Sequence, residues 1–176
     1  DFGASIEPIA DPEKEGYTFL GWDVNIPSTM PDNSLVVTAK WSINNYTLTT
    51  LVNCVPTTYT YTFGDEVSIA DPSVEGYEFK GWNPVIPSTM PGKNVLVIAD
   101  MQILQYNFIT KVDDDSDTIQ YNFNEAIATP EVPTKEGHTF KGWSSAIPAT
   151  MPAEDVIISA LWETSSYKVY FVSDED

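Results

Sequence analysis

The chain has 176 residues, a formal net charge of −18 from 26 acidic and 8 basic side chains, and a single cysteine. That acidity argues against nucleic acid and anionic membrane as partners, because Coulomb repulsion opposes approach to phosphate. Cys54 alone cannot build an intrachain disulfide framework, and no apolar run reaches the length of a membrane-crossing helix.

In chain order, the first block is Gly-Tyr-Thr-Phe-Leu-Gly-Trp at 16–22, and it returns as Gly-Tyr-Glu-Phe-Lys-Gly-Trp at 76–82 and Gly-His-Thr-Phe-Lys-Gly-Trp at 137–143. Gly16 to Gly76 is 60 residues and Gly76 to Gly137 is 61, long enough for a small domain with its own core rather than a solenoid turn. Tyr17 and Phe19 share one face of a strand. Gly21 permits a bend or bulge that returns Trp22 to that face, and the same holds for Tyr77, Phe79 and Trp82, then His138, Phe140 and Trp143.

Ile-Pro-Ser/Ala-Thr-Met-Pro follows each block, at 26–31, 86–91 and 147–152. Met30, Met90 and Met151 read as core plugs. Thr29, Thr89 and Thr150 suit the cap of a single helical turn, with Pro two residues later. An alternating run then places Leu35, Val37, Ala39 and Trp41 inward, with Met101 and Trp162 as the terminal inward residues of the later copies. Its outward set contains Leu96, Ile98, Ile157 and Leu161, too apolar for full exposure and therefore expected at contacts between repeats.

Each complete copy opens on a strand, 46–52 or 106–112, whose Tyr106, Phe108, Thr110 and Val112 lie on one face. A turn at 53–57 or 113–117 leads to a second strand at 58–63 or 118–123, giving a hairpin. The Pro- and acid-rich crossing that follows has no helical period.

The expected division is 1–45, a repeat lacking its first hairpin; 46–105 and 106–166, complete repeats; and 167–176, the first strand of a following unit or a donor strand. In the last reading Tyr167, Val169 and Phe171 of one chain complete the headless first repeat of another, building a filament by strand exchange. The alternative is a piece cut from a longer array. Asp1 carries neither an initiator Met nor a signal peptide, so export signals and anchors are expected outside this segment.

Catalytic candidates fail against the repeats. His138, the only histidine, replaces a core Tyr, and Cys54 sits in a hairpin turn with no His near it in sequence, so neither supports nucleophilic catalysis. Asp113, Asp114, Asp115 and Asp117 form the densest acidic cluster, a weak Ca²⁺ candidate lacking the Gly and final Glu of an EF-hand loop. A solvated acidic turn is the preferred reading. Asn45-Tyr-Thr47 is a glycosylation sequon, meaningful where the source is eukaryotic. No cofactor and no enzymatic activity are expected.

The combination of Glu-Gly-Tyr-x-Phe-x-Gly-Trp, x-Ile-Pro-x-Thr-Met-Pro and a Val-rich strand ending Ala-x-Trp resembles the Listeria–Bacteroides repeat, the B-repeat of internalin-type surface proteins. The resemblance covers essentially the whole chain. It implies a mainly β fold: tandem small β-grasp-like modules, ubiquitin-like with a reduced helix, in an extended array outside the cell, secreted or at the surface. His138 for Tyr, Met101 for Trp and a missing Gly-rich insertion after Gly-Trp depart from that pattern. The expected role is an acidic stalk or spacer of an adhesin-like protein, its partners neighbouring repeats or copies of itself. The alternative is a multivalent module binding a host receptor or glycan through edge strands.

Overall fold

A computed structural model describes residues 1–172 and is all β, with no helix among them. Ten strands run in order: β1 (Tyr17–Trp22), β2 (Ala39–Ile43), β3 (Asn45–Val52), β4 (Val55–Thr62), β5 (Tyr77–Asn83), β6 (Val95–Ile103), β7 (Gln105–Val112), β8 (Asp115–Asn122), β9 (His138–Trp143) and β10 (Val156–Thr164). The chain forms two compact units. One comprises Asp1–Pro72 with Phe79–Met101, and the other comprises Ser73–Glu78 with the chain from Gln102 onward.

The first unit holds the β1–β2 ribbon and the body of a four-stranded sheet ordered β4-β3-β6-β5. Its hairpin closes through Asn53 and Cys54, both at positive φ (47° and 64°), the geometry of a tight two-residue turn whose twist matches the strands. The ladder β3–β4 is antiparallel from Asn45↔Thr62 to Val52↔Val55. β6 lies on the other side of β3 and runs parallel to it, with Leu48↔Val95 through Leu51↔Ile98 in register. The second unit repeats the plan in the order β8-β7-β10-β9, with β7 parallel to β10 from Phe108↔Val156 to Lys111↔Ser159.

Alternation decides what is buried. Leu48, Val67, Met90 and Val97 form one core, with Tyr46, Tyr61 and Trp82 packed against it. Phe108, Tyr121, Met151 and Ile158 form the other, with Tyr106 and Trp143 alongside. The ribbon β1–β2 shifts register between Phe19 and Gly21. Gly21 stands at φ 110°, a conformation L side chains rarely adopt, and leaves Leu20 outside while Phe19 meets Trp22 edge-on at 5.4 Å.

Several local expectations change. The second hairpin strand begins at Val55 and Asp115 rather than at 58 and 118, because the turn needs only two residues and every backbone group beyond it can pair. No helical turn follows Thr-Met-Pro. Thr29, Thr89 and Thr150 instead bridge to Ser5, Glu66 and Ala126, so their backbones are already committed to an extended partner. Residues 35–38 are not a strand, although the corresponding Val95–Ile98 segment is, since among the described residues no parallel neighbour lies beside them. Residues 167–172 likewise form no strand, and the remainder of the expected 167–176 segment lies outside the described residues.

Candidate functional site

No three of His, Cys, Asp and Glu converge among the described residues. Asp113, Asp114, Asp115 and Asp117 fan out along a tight turn and the exposed edge strand β8, where Asp113 pairs with Lys135 at 2.6 Å and Asp117 accepts the Thr118 N–H. Cys54 is exposed at a turn tip. The His138 Nδ1 lies 2.9 Å from the Glu136 carbonyl oxygen, a local contact to the backbone two residues away. Asn45 opens β3 with its side chain exposed.

The repeated chemistry lies instead in two sockets per repeat. The first is the core pocket that receives the inward side chain of the opening strand. In the first unit Val67, Ile69, Ile86, Met90, Val95 and Val97 enclose Leu48, which is fully buried. In the second, Met151, Ile158, Ile147 and Val156 do the same for Phe108. Backbone bonds hold the wall in place: Gly64 N–H donates to Met90 O (2.9 Å) and Met90 N–H to Asp65 O (2.8 Å), matched by Asn124 to Met151 and Met151 to Glu125.

The second socket lies at the Gly of the Gly-Tyr motif. Gly16 is buried under the Phe63 ring so closely that a Cβ there would sit 2.1 Å from it, and Gly76 meets Phe123 in the same way. The neighbouring Tyr17 and Tyr77 rings meet those phenylalanines edge-on at 5.9 and 6.1 Å. Lys14 Nζ lies 3.9 Å from the centre of the Tyr17 ring, a cation–π contact. A two-step relay fixes each: Asn44 N–H donates to Gly16 O and Phe63 N–H to Asn44 O, then Leu104 N–H to Gly76 O and Phe123 N–H to Leu104 O. Each latch joins one repeat's Gly-Tyr turn to the hairpin of the next, and each lies inside one compact unit.

Other anticipated residues are placed as follows. Met90 and Met151 are buried, while Met30 is half-buried; Tyr17, Phe19, Trp22, Trp41, Tyr77, Phe79, Trp82, Met101, Phe140, Trp143 and Trp162 are half-buried on the inward faces. Leu96, Ile98, Ile157 and Leu161 are exposed on the opposite faces, as are Tyr167, Val169 and Phe171. Gly16, Phe63, Gly76 and Phe123 escaped the sequence reading as a contact, because each Phe lies about 47 residues beyond its Gly, and no periodicity within a strand connects them.

Two carboxylates brace the sheets. Asp155 accepts from the backbone N–H of Asn107 at 2.8 Å and from its side-chain amide at 3.1 Å, and those bonds hold its carboxyl below the usual value. Asp23 is lowered chiefly by the Thr38 N–H at 2.7 Å. At the place of Asp155 in the other sheet, Asn94 accepts the Thr47 N–H at 2.9 Å, so the brace there carries no charge.

The sequence profile of the Listeria-Bacteroides repeat domain matches residues 1–50 and 106–158, together more than half of the chain. A protein of Evansella cellulosilytica described as a Gly-rich membrane protein is 26% identical over 99% of this chain and 24% of its own length. Another membrane protein of that organism is 24% identical over 97% of this chain and 30% of its own. Internalin H of Listeria monocytogenes is 29% identical over 84% of this chain and 24% of its own. The chain therefore spans about a quarter of the length of these relatives. With the motif, the sheets and the profile in agreement, the chain belongs to the Listeria-Bacteroides repeat family.

Proposed function

We propose that this segment is a non-catalytic, force-bearing spacer of a secreted or cell-surface, adhesin-like protein. The observation that carries the reading is the parallel pairing of the first and last strands of each complete repeat, β3 with β6 and β7 with β10. Tension enters a repeat at the start of the first strand and leaves at the end of the last. In a parallel pair those pulls are antiparallel and run along the strands, so the ladder bonds share the load in shear instead of opening one at a time. Membrane proteins and an internalin among the relatives support a surface location. Dispersed negative charge keeps such a segment soluble.

Single-molecule pulling tests the reading in a Cys54→Ser background, with handles on Gln105→Cys and Glu163→Cys to shear β7 against β10. Handles on Gln105→Cys and Asn122→Cys unzip the β7–β8 hairpin for comparison. The shear geometry is expected to rupture at clearly higher force, and equal forces would remove the mechanical argument.

A second reading rests on the outer edges, β4 and β8, whose residues 55–60 and 115–120 are exposed on both faces. Such edges suit strand addition by a peptide or contact with a glycan. Arrayed glycans and extracellular-matrix proteins should remain unbound in 0.15 M salt if the segment is a spacer alone. Saturable binding lost on adding charge to β4 and β8 would favour the second reading.

A further inference from the structure

The second complete repeat carries a cleft of about 390 Å³ between the inner face of the β7–β8 hairpin and the crossing at 128–133. Phe108, Val112, Ile119, Pro130, Pro133 and Trp143 are its apolar walls. Its size falls among small-ligand sites, about 300–1,000 Å³. Every lining residue lies between Phe108 and Trp143, inside a complete repeat.

Two exchanges relative to the first complete repeat account for it. Ile119 stands opposite Phe108 in the ladder, where the larger Tyr59 stands opposite Leu48. Three residues beyond the bridging Glu66 and Ala126 come Ile69, which packs against its core, and Thr129, which is exposed. The smaller pair leaves the hairpin face less covered: Thr50 is 3% exposed, whereas its counterpart Thr110 is half-buried. A third exchange adds charge, since Asp117 faces Thr110 where Thr57 faces Thr50.

Asp117 from the hairpin and Glu131 from the crossing both stand on the cleft. Among the described residues neither has a lysine partner; Lys135 is held by Asp113 at 2.6 Å and Lys141 by Glu163 at 3.0 Å. Apolar walls, an indole and two uncompensated carboxylates complement a Lys or Arg side chain, with its aliphatic stem and cationic head. Beside the cleft, β8 is the outermost strand of its sheet and is exposed along 115–120, so its free backbone groups can pair with an added strand. β4, in a repeat from which the chain continues into another, is exposed in the same way along 55–60.

We infer that the cleft and the β8 edge together bind an extended basic peptide of a partner protein. The peptide adds to β8 as a further strand, and its alternate side chains fall on the inner face. One Lys or Arg lays its stem against Ile119 and Trp143 and places its cation between Asp117 and Glu131. β4 contains no acid, so the preference for a basic partner belongs to the second complete repeat. The inference rests on the edge-binding reading above and deepens it, but binding confined to β4 would uphold that reading and overturn this one.

Fluorescence anisotropy of a labelled, end-blocked peptide alternating Lys and Val, titrated with the whole chain, tests this. Working at about 0.15 M and 0.5 M salt separates docking from long-range attraction to an acidic chain, which the higher salt screens. Saturable binding is expected at both, weakened by about tenfold or more in the double variant Asp117→Asn, Glu131→Gln, which removes the buried end of the ion pair. Thr129→Ile, which copies Ile69, should weaken it as much by filling the cleft. Removing two acids elsewhere, Asp11→Asn with Glu13→Gln, should change affinity less than about twofold. All five positions are exposed, and unchanged circular dichroism would verify folding. No saturable binding, an equal loss in the control variant, affinity untouched by Thr129→Ile, equal binding of a peptide with Gln for Lys, or a loss seen only when β4 is altered by Thr58→Lys would each overturn the inference.

Discussion

At the scale of single residues, the same amino acid carries different weight according to what has closed over it. Gly76 and Gly137 share a motif, positive φ and one compact unit, but only Gly76 lies under a phenylalanine. Gly137→Ala is expected to cost the left-handed backbone penalty alone, about 1–2 kcal/mol. Gly76→Ala must also displace the Phe123 ring, adding about 2 kcal/mol of lost apolar burial. Urea denaturation of the two variants measures the difference, and equal costs would show that Phe123 does not latch.

The methionines make a parallel case. Met90→Ala empties a sealed core and should lose about 2–5 kcal/mol. Met30→Ala enlarges a cavity that already exists in this chain and should lose less than about 1 kcal/mol, since few packed atoms are forfeited. Thermal denaturation separates the two. The Ser-Thr-Met-Pro motif is the same around both, and the difference arises from Leu48, 42 positions before Met90, whereas the same distance before Met30 falls ahead of Asp1.

At the scale of elements, strand identity and facing were legible from period-two alternation and from the Gly-Trp bulge, because both are set by neighbours along the chain. Turn length was not. A five-residue turn was expected at 53–57, and positive φ at Asn53 and Cys54 shortened it to two. The pairing of first and last strands was also invisible, since a strand's pattern does not reveal which edge it joins.

The bracing carboxylate predicts a pH response at this scale. Hydrogen bonds from Asn107 lower the folded pKa of Asp155 below its ordinary value of 3.8, so its stabilisation is full above that value and is lost as pH falls through the lowered one. Asp155→Asn, which copies the uncharged brace of Asn94, should shift the acid-unfolding midpoint to lower pH with little change at neutrality. An acid titration followed by near-UV circular dichroism checks this, and an unmoved midpoint would dismiss the brace as a source of acid sensitivity.

At the scale of the whole molecule, a formal net charge of −18 with 8 lysines means that repulsion acts throughout the array. Raising salt from 0.01 M to 0.15 M shortens the Debye length from about 30 to 8 Å and should stabilise the chain by about 1 kcal/mol. That corresponds to a melting temperature higher by roughly 2–8 °C. A melting temperature independent of salt would show the acids to be too dispersed to matter.

The sequence by itself determined the repeat, the inward faces and the mainly β class, because these depend on local alternation and on which residue types are present. Tertiary structure alone decided that β6 joins β3 in parallel and that Phe63 and Phe123 close over Gly16 and Gly76. Those outcomes depend on surfaces brought together from 40 or more residues apart, where burial and backbone pairing, not sequence period, select the partner.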